Sequence, residues 1–296
     1  MNLRDLSYLV ALADLRHFGR AAEASNVSQP TLSGQIRKTE EYLGVTLVER
    51  DSRNVALTDA GRAIVAEARA ALGHIDAIKD IARAHRDPLA GRFHLGMINS
   101  LGPSLAPELL TMLDHDAPRL EIELTENLTD PLLTALRDRH LDAALLATPP
   151  DGDDLTEIPL FEEPFRIALP DGHPLTALPV LTTAEIERYP LLLLGEGHCL
   201  RDQALSLCGA RSVDARVRSA SLGTLLRLVA KGRGITIVPA LSAQPPDGLV
   251  LRDLSDPRAS RRLRLVARRN YPRRAALDLI AAKARSIASS IGLPVL

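Results

Sequence analysis

Apolar residues recur along this chain at two different periods, and the change from one to the other divides it. Near the start, Leu3, Leu6, Leu9, Val10 and Ala13 return every three or four residues, marking one face of a helix over residues 3–15. His17-Phe18-Gly19 reads as a turn, and residues 20–24 as a short alanine-rich helix that Asn26-Val27 breaks. Ser28 is placed to cap a third helix with Pro30 in its first turn, where proline is tolerated. Leu32, Ile36 and Leu43 form the apolar side of that helix, and Gln29, Thr31, Ser33, Gln35, Arg37 and Lys38 form the other. Two helices joined by a tight turn, the second polar on its outer side, describe a helix-turn-helix, although an ordinary amphipathic surface helix shares the pattern. Residues 45–49 and 54–57 read as two short strands flanking Arg50-Asp51-Ser52-Arg53, as in a small wing. Thr58-Asp59 then opens a helix to about residue 86. Its stripe of Ile64, Ala68, Ala71, Ile75, Ile78 and Ala82 is narrow enough to pair with a second helix.

Asp87-Pro88-Leu89-Ala90-Gly91 ends that helix, and beyond it strands alternate with helices. Strands are expected at residues 92–98, 120–125 and 142–147, with helices at 105–113 and 130–139. A second unit begins near Phe165, with strands at 165–169, 191–194 and 235–238 and helices at 183–188 and 221–231. A late strand, 263–267, and a closing helix, 275–290, return to the first unit. The alternation predicts a parallel α/β sheet, and the return predicts two lobes joined by two crossings. Ligands of such folds bind near strand carboxyl ends, often between lobes. That places Ser100, Thr129 and His198-Cys199 at the cleft; helix capping is the commoner use of such a serine or threonine.

Composition narrows the class. With 296 residues, 46% hydrophobic and 25% charged, the chain is an ordinary globular protein of more than one unit. A formal net charge of −1 gives no global attraction to a polyanion, so nucleic acid would need a local patch. Residues 1–62 balance eight Lys/Arg against eight Asp/Glu, whereas the tail from Arg258 carries ten against one and reads as a solvated basic face. The start, Met1-Asn2-Leu3-Arg4-Asp5-Leu6, has no apolar leader core. No run approaches the ~18 apolar residues of a membrane span, so a cytoplasmic protein with no membrane partner is expected. There is no CxxC, HExxH, glycine-rich phosphate loop or GxSxG, so no metal and no cofactor are expected.

The chain has two cysteines, both in the stretch from Gly195 to Cys208. If residues 199–208 are helical, nine steps of about 1.5 Å hold the two Cα atoms roughly 13 Å apart. A disulfide needs them within about 7 Å, so the bond and the helix exclude each other. Cys199 has His198 beside it, Arg201 near it and a helix start after it, all features that lower a thiol pKa. Cys208 sits among Leu205, Leu207 and Gly209. The contrast suits an attacking and a resolving sulfur; two small core hydrophobes would look the same from spacing alone.

Ala21-Ala22 through Ser28-Gln29-Pro30-Thr31-Leu32-Ser33, then Ile36, Glu40, Leu43-Gly44 and Leu47-Val48-Glu49-Arg50, resemble the DNA-binding domain of LysR-type transcriptional regulators. The resemblance extends over the whole chain. Gly197-His198-Cys199-Leu200-Arg201-Asp202-Gln203-Ala204 with Cys208, and Gly102-Pro103 after Ser100, resemble the peroxide-sensing members of that family. It implies an N-terminal winged helix-turn-helix domain (1–58), all-α plus a wing. A linker and dimerisation helix (59–90) follows, then an α/β regulatory domain (91–296) of two periplasmic-binding-protein-like lobes. Lobe I would be residues 91–161 and 267–296, and lobe II residues 162–266.

By the same resemblance, Ser28, Gln29, Pro30, Thr31, Ser33, Arg37, Lys38, Arg50 and Arg53 would hold double-stranded DNA. Cys199 would be the thiol that hydrogen peroxide oxidises, and Cys208 its disulfide partner. Ser100, Thr129, His198 and Asp202 would surround the peroxide. An arginine of the late strand would approach it, assigned to Arg268, with Arg261, Arg262 and Arg264 in the same stretch. The protein would be a homotetramer, a dimer of dimers, in contact with RNA polymerase, and not an enzyme. Two positions depart from the pattern: Ser100 stands for the usual threonine and Thr39 for the usual leucine. A regulator that binds a small metabolite between its lobes, and a thiol peroxidase, are the competing readings.

Overall fold

The computed structural model describes residues 1–50, 55–84, 87–208, 213–219, 221–242 and 246–296, with backbone alone at 50, 77, 80, 81, 83, 84 and 213–219. The chain divides into two units, Met1–Arg83 and Ala84–Leu296.

In the first unit, α1 (Leu3–Leu15) starts at a reciprocal cap. The Asn2 side chain accepts from the N–H groups of Arg4 and Asp5, and the Asp5 carboxylate accepts from the Asn2 N–H. α2 (Phe18–Ala24) follows the His17 cap, and α3 (Gln29–Leu43) follows Ser28, whose Oγ accepts from the Thr31 N–H. The antiparallel pair β1 (Val48–Arg50) and β2 (Val55–Leu57) forms the wing, and α4 (Asp59–Ala84) is the long helix. Leu9, Leu12, Ala21, Leu32, Ile36 and Leu47 close a small core between these elements. The Glu40 carboxylate accepts from the N–H groups of Leu47 and Val48, tying α3 to the wing. Thr39 is buried, and its hydroxyl bonds back to the Gln35 carbonyl, so the missing leucine leaves no unsatisfied polar group.

The second unit begins with β3 (Gly91–Ile98), α5 (Gly102–Asp116), β4 (Leu120–Asn127), α6 (Thr129–Arg137) and β5 (Ala143–Leu146), in which β3 pairs in parallel with β4 and β5. β6 (Leu155–Pro170) is one strand where the sequence suggests only its second half. Pro159, Pro164 and the acidic residues between them hide the first half from a pattern of alternation. After β6 come α7 (Thr183–Ile186), β7 (Leu191–Leu194), α8 (Cys199–Cys208), β8 (Val213–Ser219), α9 (Leu222–Ala230), β9 (Thr236–Pro239) and β10 (Leu249–Asp253). β11 (Ser260–Arg268) and α10 (Arg274–Ser290) close the chain.

The order β10-β6-β11-β5-β3-β4 makes a mixed sheet and not the parallel one expected, because β11 runs antiparallel to both β5 and β6. Two hydrophobic cores result. One holds Phe93, Leu95, Leu145, Phe161, Leu263, Leu265 and the apolar face of α10; the other holds Ile167, Leu169, Leu192, Leu225, Val229 and Ile237. Strands β6 and β11 run from one to the other, the two crossings. The second crossing falls between Ala259, in the second core, and Leu263, in the first, and not at residue 267 as assigned from sequence.

Candidate redox site and nucleic-acid interface

Cys199 opens α8. The chain reaches it from β7 through a turn that needs Gly197: φ there is +85°, and a Cβ would stand 3.0 Å from Leu128 Cδ1. Both cysteines carry free thiols. Cys199 is 9% exposed and packs in the first core; Cys208, at the far end of the same helix, is 1% exposed and packs in the second.

Two spaces adjoin Cys199. One is an open pocket of about 430 Å³, whose lining includes Thr129, Asp130, Asp202, Gln203 and Arg258. The other is a cavity of about 10 Å³ between Ser100, Asn127, Thr129, His198 and Cys199, about the size of a single small molecule such as water. Neither Ser100 nor Thr129 caps a helix. The caps of α5 and α6 are Leu101 and Leu128, with no side-chain bond at either. The Thr129 Oγ1 and the Gln203 Oε1 are buried with no hydrogen-bond partner among the described residues, so this pocket carries polar groups that the fold itself leaves unused.

The electrostatics differ from the sequence expectation. Burial pushes the Cys199 thiol up, against the pull of Arg261, of the adjacent Thr129 hydroxyl and of the Leu200 N–H; Asp202 adds a smaller push upward. His198 is buried and its pKa lies below the ordinary histidine value for that reason, so it supplies no cation at neutral pH. Arg201 donates to the Leu194 carbonyl at 3.0 Å. The cation that bears on Cys199 therefore comes from β11. Cys208 is pushed up to about 11 by burial and by the carboxylates of Glu187 and Asp256.

The arginine assignment is corrected. Arg268 donates to the Leu136 and Leu141 carbonyls at 2.7 and 2.5 Å and lies over the Tyr271 ring, so it secures the end of α6. Arg261 is the residue at the site: its Nη1 donates to the Ser100 Oγ at 2.8 Å, and its Nε donates to the Glu163 carboxylate at 2.8 Å. The alternation of β11 explains the choice, since Arg261 points into the protein and Arg262 pairs with Glu162 at the surface. Arg264 is committed to Glu157. Glu163 has no signal in sequence; its partner lies 98 positions away.

On α3, Gln29, Pro30, Thr31, Arg37 and Lys38 are exposed together and Ser33 is half-buried. Ser28 is spent on the helix cap. Gln35, read as outward-facing, instead turns inward and donates to the Asp5 carboxylate at 2.7 Å. Arg50 ends β1, with its side chain outside the described residues, and Arg53 lies outside them altogether. Among the described residues no helix is long and apolar enough to cross a membrane, and no group of three or more His, Cys, Asp or Glu could hold a metal ion.

Residues 3–62 match the family described as "Bacterial regulatory helix-turn-helix protein, lysR family", and residues 86–286 match "LysR substrate binding domain". The chain is 42% identical over 291 residues to the "DNA-binding transcriptional dual regulator OxyR" of Escherichia coli (strain K12), spanning 97% of this chain and 95% of the relative. Among solved structures, a cysteine-to-aspartate variant of full-length OxyR from Pseudomonas aeruginosa superposes with a TM-score of 0.79 at 38% identity, over 96% of this chain and 95% of that one. A cysteine variant of Corynebacterium glutamicum OxyR with hydrogen peroxide bound gives 0.66 at 33% identity, over 98% and 96%. With an N-terminal helix-turn-helix, a two-lobed α/β domain after it, and a family match over each, this chain belongs to the LysR family of bacterial transcription regulators, within its OxyR group.

Proposed function

We propose that this protein regulates transcription in response to hydrogen peroxide, through oxidation of Cys199 and a reversible disulfide with Cys208. The observation that carries the reading is the placement of the two thiols. They sit at opposite ends of one helix and in two different cores, one of them beside a small cavity lined by the Ser100, Thr129 and His198 side chains.

The Cys199 thiolate attacks one peroxide oxygen. The O–O bond breaks, the S–O bond forms, and hydroxide takes the thiol proton to leave as water. The Ser100 and Thr129 hydroxyls hold the peroxide, and the Arg261 charge favours the thiolate. The Cys208 thiol then attacks the sulfenic acid, releasing a second water and closing the disulfide. Peroxide has taken two electrons from two thiols. As long as α8 is intact that second step is blocked twice. The sulfurs are too far apart, and a thiol with a pKa of about 11 is roughly one part in ten thousand thiolate at pH 7. Oxidation thus selects a form in which α8 has come apart and Cys208 has left its core, and that change is what the DNA-bound assembly senses.

The half-buried Ile64, Ala71 and Ile75 and the exposed Ile78 along α4 support pairing with a second copy, and a dimer of dimers in contact with RNA polymerase extends the same reading. The deciding experiment is non-reducing mass spectrometry before and after one equivalent of peroxide. A Cys199–Cys208 crosslink is expected. Unchanged thiols would favour a metabolite ligand, and sustained peroxide consumption a thiol peroxidase.

DNA is expected on the exposed side of α3, with Arg50 and Arg53 of the wing as further phosphate contacts. Arg37→Ala and Lys38→Ala should weaken binding to operator and random duplex alike, each reducing the slope of log affinity against log salt by about one. Gln29→Ala and Thr31→Ala should change sequence preference instead. Gel-shift titrations at several salt concentrations check both. An unchanged slope for Arg37→Ala removes that residue from the phosphate contacts.

A further inference from the structure

We propose that Glu163 is a positioning residue for the peroxide site: it fixes Arg261 against Ser100, at the wall of the cavity beside Cys199. The inference rests on the redox reading above and adds a residue that touches neither thiol nor peroxide.

Glu163 and Arg261 are opposite each other in the β6–β11 register, where both strands cross between the cores, and both side chains are 0% exposed. Each carboxylate oxygen is occupied from a different segment. Oε2 accepts from the Arg261 Nε and faces its Nη2, both at 2.8 Å. Oε1 accepts from the Leu241 N–H at 2.7 Å, in the 3-10 turn Ala240–Ser242 that follows β9. A planar guanidinium gripped along one edge has its remaining nitrogen aimed by geometry. Here Nη1 donates to the Ser100 Oγ at 2.8 Å, and Nη2 reaches the Ser100 carbonyl at 3.5 Å. Ser100 Oγ accepts from Arg261 and so turns its own proton elsewhere, and the cavity shared with Thr129, His198 and Cys199 lies beside it. Glu163 thereby makes Ser100 a donor towards the place where a peroxide oxygen would sit.

An amide cannot take this role. Both oxygens of Glu163 accept from N–H groups, so a glutamine would turn its NH₂ against one of those donors and release either Arg261 or Leu241. The charged and titratable groups facing Cys199 are His198 and Asp202 on its own segment, Asp130 and Arg258 across the pocket, and Arg261 on β11. Glu163 reaches the thiol only through the last of these.

The test uses the full-length protein and follows Cys199 separately from Cys208 by peptide mass spectrometry. The pH profile of Cys199 alkylation by iodoacetamide is measured alongside its rate of oxidation by peroxide. Glu163→Gln is expected to move the alkylation profile about one pH unit higher and to slow oxidation about tenfold at pH 7. Glu163→Asp, which keeps two acceptors, should recover most of that loss. In an Arg261→Met background, Glu163→Gln should neither raise the alkylation profile further nor slow oxidation further, because there it removes only a stranded carboxylate. That double variant strands no buried charge, so where a single variant fails to fold it is compared with the wild type directly, and an alkylation profile no higher than the wild type's overturns the proposal. An unchanged or lower alkylation profile in Glu163→Gln, or a further shift in the Arg261→Met background, overturns the proposal. Alkylation needs no peroxide. A wild type that ignores peroxide would therefore refute the redox reading while the alkylation profiles still decide the place of Glu163.

Discussion

Cys199→Ser is expected to abolish every peroxide-dependent change on DNA, whereas Cys208→Ser still consumes one equivalent of peroxide. Serine forms no sulfenic acid, and the remaining thiol, Cys208, is 1% exposed and does not line the cavity beside Cys199. Its pKa of about 11 also leaves it almost wholly protonated at neutral pH. Cys208→Ser keeps the attacking sulfur together with Ser100, Thr129 and Arg261, so it should stop at the sulfenic acid or over-oxidise. The pH dependence has a definite sign. The Cys199 pKa lies above the ordinary thiol value. The thiolate fraction therefore rises about tenfold per pH unit through neutrality, and the first oxidation accelerates with it past the range in which an ordinary thiol titrates. Dimedone labelling and intact mass after rapid mixing report the first step, and DNA footprinting reports the outcome. If Cys199→Ser oxidises at Cys208 as fast as the wild type reacts, the roles are wrongly assigned. A rate that falls as pH rises would mean that the thiolate is not the attacking species.

Arg261→Met should lower stability by about 3–5 kcal/mol and slow the first oxidation as well, because it strands the Glu163 carboxylate in the interior. The same substitution removes the cation that pulls the Cys199 pKa down, so the thiol rises further and reacts more slowly at neutral pH. Arg268→Met is the matched control. It loses hydrogen bonds to the Leu136 and Leu141 carbonyls and should cost stability while leaving Cys199 reactivity unchanged. Urea unfolding together with the peroxide rate separates the two. Equal loss of reactivity in both variants would mean that the arginine effect is general loosening and not the local field of Arg261.

Much of the site was legible because its residues are neighbours in sequence or repeat at a known period. The helix-turn-helix follows from apolar spacing and from Ser28 and Pro30 at a helix start, local effects that need no distant partner. The helix joining Cys199 to Cys208, and the incompatibility of that helix with a disulfide, follow from counting residues along one segment. What sequence could not decide depends on pairs that are distant along the chain. Whether Arg261 or Arg268 faces the thiol is set by the register and pleat of β11 against β6 and β5, and a shift of one residue reverses every side chain. The Cys199 pKa was expected below the usual value from its neighbours in sequence. The tertiary structure raises it, because desolvation is a sum over everything packed around the sulfur and outweighs His198, which burial leaves neutral. That Cys199 belongs to one core and Cys208 to another is likewise a property of the packed lobes. The local pattern of α8 makes the switch conceivable; the two cores on either side of it decide which sulfur peroxide can reach and what must come apart before the second can answer.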